Sequence, residues 1–248
     1  MENRALVVLT RDEDGNRRWA EELARRGLAT LSAPMIKTVP AHLTAEITAA
    51  LQNLRKFDWL VLTSPRAVKI LKQLMRETGA HTVNTPPVAA VGPGTAAAAR
   101  RAMLPVRFIA EPATAETLAA DLTPVAGRRI LVVRANLAGS ACAQNLTNRG
   151  ADVTDLILYH TRTLCSPNQE LESRLQAGQI RCFTFASPSS IEGLTRSLTR
   201  PALALAQTLP AITFGPGTTN AAHDHGFNNV CQAAAPDMPS LISAIRLL

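Results

Sequence analysis

Gly92-Pro93-Gly94-Thr95 and Gly215-Pro216-Gly217-Thr218 are the same four residues, 123 positions apart. Each follows a short apolar run, Val88–Val91 or Ala211–Phe214, and each leads into small residues. Outward from these two points the offset holds. Ser64-Pro65 returns as Ser187-Pro188, Arg26-Gly27 as Arg149-Gly150, Arg11 as Arg134 and Thr38 as Thr161. One such pair is chance. Five pairs in a single ungapped register make the 248-residue chain two copies of one unit.

Each copy alternates strand and helix. Ala5–Thr10 and Arg129–Val133 are runs of Leu, Val and Ile, the composition of parallel strands buried on both faces. Amphipathic helices follow over Asn16–Arg26 and Ala141–Arg149, then second strands over Leu28–Ala33 and Ala151–Leu158. Third strands, Trp59–Thr63 and Cys182–Ala186, end at Ser-Pro and give way to helices from Arg66 and Ser189. Val88–Val91 and Ala211–Phe214 are fourth strands, with helices predicted over Ala96–Ala102 and Thr219–His225. Val106–Ile109 and Asn229–Gln232 are fifth strands, and Thr114 and Asp237 are placed to cap the last helices. The alternation predicts an α/β fold of doubly wound parallel sheets, each the size of a flavodoxin.

Composition limits what such a fold does. With 46% hydrophobic and 18% charged residues the chain buries a core. No apolar run reaches the ~18 residues that cross a bilayer, and Met1-Glu2-Asn3-Arg4 shows no leader pattern, so a soluble cytoplasmic protein away from membranes is expected. The charge of +7 calls for an anionic partner. With 2 Trp, 1 Tyr and 6 Phe, and no Lys/Arg block longer than a pair, the partner is a polycarboxylate or phosphate and not nucleic acid. Cys142, Cys165, Cys182 and Cys231 are scattered and read as ordinary buried thiols.

Ligands of open parallel sheets sit at the carboxyl ends of the strands. The residues predicted there are Thr10, Arg11, Thr63, Ser64, Gly92–Thr95, Arg134, Ser187 and Gly215–Thr218: hydroxyls, glycines and arginines, without a carboxylate pair. Gly-Pro-Gly-Thr at a helix start suits an anion on backbone N–H groups. Thr95 and Thr218 serve equally as helix caps, and the two roles are compatible. Ser64 and Ser187 precede Pro at a helix start, a capping arrangement; G-x-S-x-G is absent, so no hydrolase nucleophile is assigned. His223 and His225 lie two apart on a helix and diverge, so they do not form a metal site. No nucleotide-binding glycine motif is present. Tyr159, the one tyrosine, stands near the junction of the copies, either as a half-buried strand aromatic or as a functional phenol.

Val8-Leu9-Thr10-Arg11, Leu62-Thr63-Ser64-Pro65-Arg66-Ala67-Val68, Val91–Thr95, Leu158-Tyr159-His160-Thr161, Phe185-Ala186-Ser187-Pro188-Ser189-Ser190 and Phe214–Thr218 together resemble the uroporphyrinogen-III synthase family in order and spacing. The resemblance implies a monomeric enzyme without cofactor or metal. It would close linear hydroxymethylbilane to uroporphyrinogen III, losing water and inverting ring D. It also implies two flavodoxin-like domains joined by a two-stranded linker, Met1–Lys37 plus Arg162–Leu248 and Thr38–Thr161. Tyr159 would then be catalytic. Thr10, Arg11, Thr63, Ser64, Arg66, Gly92, Thr95, Arg134, Ser187, Gly215 and Thr218 would bind the small-molecule tetrapyrrole polycarboxylate. Two features depart from the family pattern. Ala135-Asn136-Leu137-Ala138-Gly139-Ser140 lacks charge, and Met103 replaces the glycine that the second copy has at Gly226. The rival reading is a two-lobed anion-binding module without activity, similar to periplasmic solute-binding proteins.

Overall fold

A computed structural model describes residues 5–248; Met1 to Arg4, on which the leader reading rests, lie outside the described residues. The elements of the first half are β1 (Leu6–Leu9), α1 (Glu13–Ala24), β2 (Thr30–Ser32), β3 (Ile36–Pro40), α2 (Ala45–Gln52), β4 (Trp59–Leu62), α3 (Pro65–Glu77), β5 (Val88–Ala90), α4 (Gly92–Arg101), β6 (Val106–Ile109) and α5 (Ala115–Asp121). Those of the second half are β7 (Arg129–Ala135), α6 (Ala141–Asn148), β8 (Asp152–Thr163), α7 (Gln169–Gln176), β9 (Ile180–Phe185), α8 (Pro188–Ser197), α9 (Arg200–Thr208), β10 (Ala211–Thr213), α10 (Pro216–Asp224), β11 (Val230–Gln232) and α11 (Met238–Arg246).

Strand pairing exchanges the copies. One sheet has the order β11-β10-β9-β1-β2, the other β3-β8-β7-β4-β5-β6. The first therefore takes its first two strands from copy one and its remaining three from copy two. The second does the opposite and adds β3. β1 pairs in parallel with β9, Val7 opposite Cys182, and β4 pairs in parallel with β7, Val61 opposite Val132. The corresponding third strands, β4 and β9, lie in different sheets. Two compact units result, Met1–Thr38 with Arg162–Leu248 and Val39–Thr161.

Within each unit the strands alternate between two cores, as a sheet covered by helices on both faces requires. In the 39–161 unit, Leu60, Leu62, Leu131 and Val133 point to α2, α3 and α4; Val61, Ala89, Ile130 and Val132 point to α5 and α6. In the other unit, Val8, Phe183 and Phe185 meet α7 to α10, while Val7, Leu9 and Ile212 meet α1 and α11. Phe183, Phe185 and Phe227 form one aromatic group, with Phe185 and Phe227 edge-on at 5.2 Å. All three are fully buried, each contributing about 1.5–3 kcal/mol of transfer free energy.

The structure moves several predicted boundaries. α1 starts at Glu13 rather than Asn16, because the Asp12 carboxylate accepts from the Gly15 N–H at 3.2 Å and caps it. α4 takes all of Gly92–Thr95 into its first turn and α10 takes Pro216–Thr218, with Val91 and Gly215 at the cap positions and no side-chain cap bond. Thr95 and Thr218 are not caps. β8 continues past Leu158 to Thr163, and its second half is matched by β3, which is absent from the strands predicted from apolar runs. Ala41 donates to Leu158 O and Leu164 to Met35 O, both at 2.8 Å, an antiparallel order. Met103 keeps the left-handed turn of its counterpart Gly226: their φ values are 59° and 81°, and Leu104 N→Ala99 O matches Phe227 N→Ala222 O, both 3.0 Å.

Gly193 of α8 lies against the Leu164–Met35 rung. A β-carbon there would stand 2.5 Å from the Met35 carbonyl oxygen and 3.0 Å from that of Leu164. The Met35 oxygen accepts from the Leu164 N–H and does not move without disturbing that bond. Gly193→Ala is expected to lower stability by about 1–3 kcal/mol in urea unfolding. Gly217→Ala, where nothing lies within 4 Å of the added atom, should stay within about 0.5 kcal/mol of the parent. Equal stabilities for the two variants would remove this explanation of Gly193.

Candidate functional site

At the carboxyl edge of the 39–161 sheet, Ser64 caps α3. Its Oγ accepts from the Ala67 N–H at 3.0 Å and lies 2.9 Å from the Tyr159 hydroxyl. Tyr159 is 5% exposed, so it is no half-wet strand aromatic. Burial pushes its phenol above the ordinary range, against smaller opposing effects of the Ser64 hydrogen bond and the Arg66 charge. The group is a neutral hydrogen-bonding hydroxyl at physiological pH. Arg66 follows in the first turn of α3, and Thr63 Oγ1 donates weakly to Val133 O at 3.4 Å. Gly92 opens α4 with φ 79°, and a β-carbon on it would stand 2.5 Å from that of Ala113; only glycine fits there. Thr95 is in the same turn and 2% exposed.

Arg134 does not present an open guanidinium. Its Nε and Nη2 donate to Asp155 at 2.8 Å, and its Nη1 donates to the carbonyls of Ala138 at 2.8 Å and Ala135 at 3.3 Å. Asp155 stands opposite Val132, on the same sheet face as Arg134, and so comes within reach. Arg134 thus ties β7 to β8 and also holds the turn after β7.

In the other unit, Thr10 is fully buried and donates to Thr184 O at 2.6 Å, while Thr184 Oγ1 donates to Val8 O at 3.0 Å. The hydroxyl expected to meet substrate is committed inside the sheet. Arg11 lies over the Trp19 ring, 4.4 Å from its centre, and Trp19 meets Phe214 edge-on at 5.1 Å. Ser187 stands at the cap position of α8 without a capping bond, its Oγ 2.9 Å from that of Ser189. Gly215 is in extended backbone, unlike Gly92, and Thr218 is buried in the first turn of α10. The first-turn N–H groups of α3, α4, α8 and α10 all lie at carboxyl edges, where helix ends favour anions.

Two residues escaped the sequence reading. Asn136 donates its backbone N–H to Tyr159 O at 3.0 Å and accepts from Thr161 N–H on Oδ1 at 2.9 Å. Thr219 links Thr213 at 2.7 Å to Gln232 at 2.8 Å. Only strand register makes either visible. Cys142 and Cys182 are buried as expected, and burial pushes their thiols up to about 11 and about 12, away from thiolate chemistry. Cys165 is exposed and Cys231 half-buried, a correction to the expectation of four buried thiols. Among the described residues no group of three His, Cys, Asp or Glu is placed to hold a metal, and no helix is long and apolar enough to cross a membrane.

The uroporphyrinogen-III synthase HemD family matches residues 17–243. The chain belongs to the uroporphyrinogen-III synthase family. It is 27% identical over 231 residues to the putative uroporphyrinogen-III synthase of Methanothermobacter thermautotrophicus, covering 90% of this chain and 91% of that one. It is 23% identical over 228 residues, 90% of its length, to porphyrin biosynthesis protein HemD of Ruminiclostridium josui, of which it spans 45%. The fold is that of solved uroporphyrinogen-III synthases. The Helicobacter pylori structure aligns with a TM-score of 0.64 at 17% identity, over 98% of this chain and 100% of that one. A mutant from Thermus thermophilus aligns with a TM-score of 0.61 at 18% identity, over 98% of each chain.

Since the Thr10 hydroxyl is spent within the sheet, Thr10→Val should cost about 1 kcal/mol of stability and leave ligand affinity unchanged in the folded protein. A large loss of affinity for a linear tetrapyrrole, with stability intact, would return Thr10 to the binding surface.

Proposed function

We propose that this chain closes linear hydroxymethylbilane to uroporphyrinogen III, acting as a cytoplasmic monomer without cofactor, metal or nucleic acid. Family membership along residues 17–243 is the observation that carries this reading. The crossed strand orders support the finer architecture, two flavodoxin-like domains from one duplicated unit with β3 and the end of β8 as a two-stranded linker, residues 1–37 plus 162–248 and 38–161.

The substrate's hydroxymethyl C–O bond breaks and water leaves, producing an electrophilic azafulvene. Ring D attacks through its substituted α-carbon to give a spiro intermediate. Fragmentation of that intermediate, followed by reclosure at the free α-carbon, inverts the ring. Pyrrole electronics drive each bond change. The protein contributes proximity, holding a flexible polyanion so that its two ends meet. Arg11, Thr63, Arg66 and Ser187, with the first turns that begin at Gly92 and Gly215 and contain Thr95 and Thr218, offer donors and positive charge for its carboxylates. Tyr159, backed by Ser64, hydrogen-bonds the departing hydroxyl. A buried neutral phenol is a weak acid, so its part is to stabilise the leaving oxygen rather than to protonate it fully.

Product analysis tests this. Hydroxymethylbilane added to the protein should yield type III uroporphyrinogen in excess over type I, the product of spontaneous closure. Binding without a change in isomer ratio would favour the inactive two-lobed module. Tyr159→Phe should lower type III formation about 10–100-fold, and undiminished turnover in the folded variant would remove the phenol from the reaction. Thr218→Val should raise KM by roughly tenfold, the loss expected for one hydrogen bond to a charged group. A KM left unchanged would restrict anion binding at α10 to its backbone.

A further inference from the structure

β8 leaves its register with β7 at one point. Arg134 is opposite Ile157, but the next residue, Ala135, is opposite Tyr159, so Leu158 is the extra residue of a bulge. Its carbonyl turns away to accept from Ala41 N–H at 2.8 Å. Bulges re-aim the side chains that follow them, and here the re-aimed residue is Tyr159. β3 pairs with the re-aimed segment on one side, but β7 ends at Ala135, so on the other side no further strand residue is there to pair with it. Asn136 supplies what the strand does not. Its backbone N–H takes the Tyr159 carbonyl, and its Oδ1 takes the Thr161 N–H, standing in for one more ladder residue. The turn that carries Asn136 is fixed in its own right, since Arg134 bonds the Ala135 and Ala138 carbonyls and Asp155 orients Arg134.

We infer that Asn136 is a positioning residue, holding the re-aimed Tyr159 so that its phenol meets the Ser64 hydroxyl. The consequence follows from a count of hydrogens. The two hydroxyls carry one hydrogen each, and one of these lies between the two oxygens. Ser64 Oγ already accepts from Ala67 N–H, so its second lone pair takes the phenol's hydrogen or its own hydrogen goes to the phenol. In either arrangement one hydroxyl hydrogen is left for a third group. A pair held at 2.9 Å therefore acts as a single donor, from the phenol when Ser64 donates to it and from Ser64 when the phenol donates. This inference rests on the reading that Tyr159 faces the substrate's leaving oxygen.

Tyr159 is the only tyrosine, so tyrosinate absorbance in the near ultraviolet reports its phenol alone. Asn136→Ala should let water reach the phenol and move its titration down towards the ordinary value, because burial is the largest cause of its elevation and Arg66 the one charge acting on it. kcat should fall about tenfold with KM changed less than about twofold, as for an interaction made in the transition state. Asn136→Asp keeps an acceptor oxygen and should restore both. Ser64→Ala, acting from the other side, should move the titration further up and lower kcat by a similar factor. An unaltered phenol titration and kcat in Asn136→Ala would overturn the inference. If that variant does not fold, amide exchange of the parent protein decides: Thr161 N–H should be strongly protected, and rapid exchange would overturn it. A Tyr159→Phe protein with full turnover would instead sink the leaving-group reading, while the titration of Asn136→Ala would still judge the positioning.

Discussion

The parallel pairing of β1 with β9 is the constraint on which the rest depends. Val7 and Cys182 face each other from opposite halves of the chain, as do Val61 and Val132 where β4 meets β7. Each sheet is thus completed only when both copies of the repeat have been made. Closing so long a loop costs little more entropy than closing a shorter one, because that cost rises only with the logarithm of length. The cost is kinetic, since such contacts are made late. Once the central pairs form, helices must cover both faces of each sheet, and their first turns collect at the carboxyl edges. The potential anion sites are a by-product of that winding.

The two copies have not kept the same chemistry at those edges. Ser64 caps its helix and meets a tyrosine, whereas Ser187 makes no capping bond and meets Ser189. Gly92 is held in left-handed backbone against Ala113, whereas Gly215 is extended, with open space where a β-carbon would stand. Arg11 stacks on Trp19, whereas its counterpart Arg134 is bound by Asp155. Donors for an unsymmetrical linear substrate need not be symmetrical. A duplicated frame with divergent edges suits a reaction in which one end of the ligand differs from the other.

Much of the frame was legible because buried parallel strands are plain apolar runs. β6 has the predicted limits, Val106–Ile109, and Thr114 and Asp237 cap the helices assigned to them. Apolar runs do not mark β3, because Ile36–Pro40 carries Lys37 and Pro40 and pairs only beside the end of β8; a strand in this region was implied only by the family resemblance. Site residues were less readable. Thr10 and Arg134 carry the chemistry of ligand donors, and only strand pairing reveals that Thr184 O and Asp155 have taken them. Asn136 had no signal at all, since its contacts are to backbone across a bulge. Sequence reports which functional groups are available at a strand end; register decides which of them are already used.

The exchange of strands between the copies is tested most directly by cutting the chain in two ways. A chain of residues 39–161 contains every strand of one sheet except the first three residues of β3 and the last two of β8, and should unfold cooperatively in urea. A chain of residues 1–123, one complete copy of the repeat, holds β1 and β2 without β9, and β4 to β6 without β7. It should show no cooperative transition. A cooperative transition for residues 1–123, with none for 39–161, would contradict the exchanged arrangement.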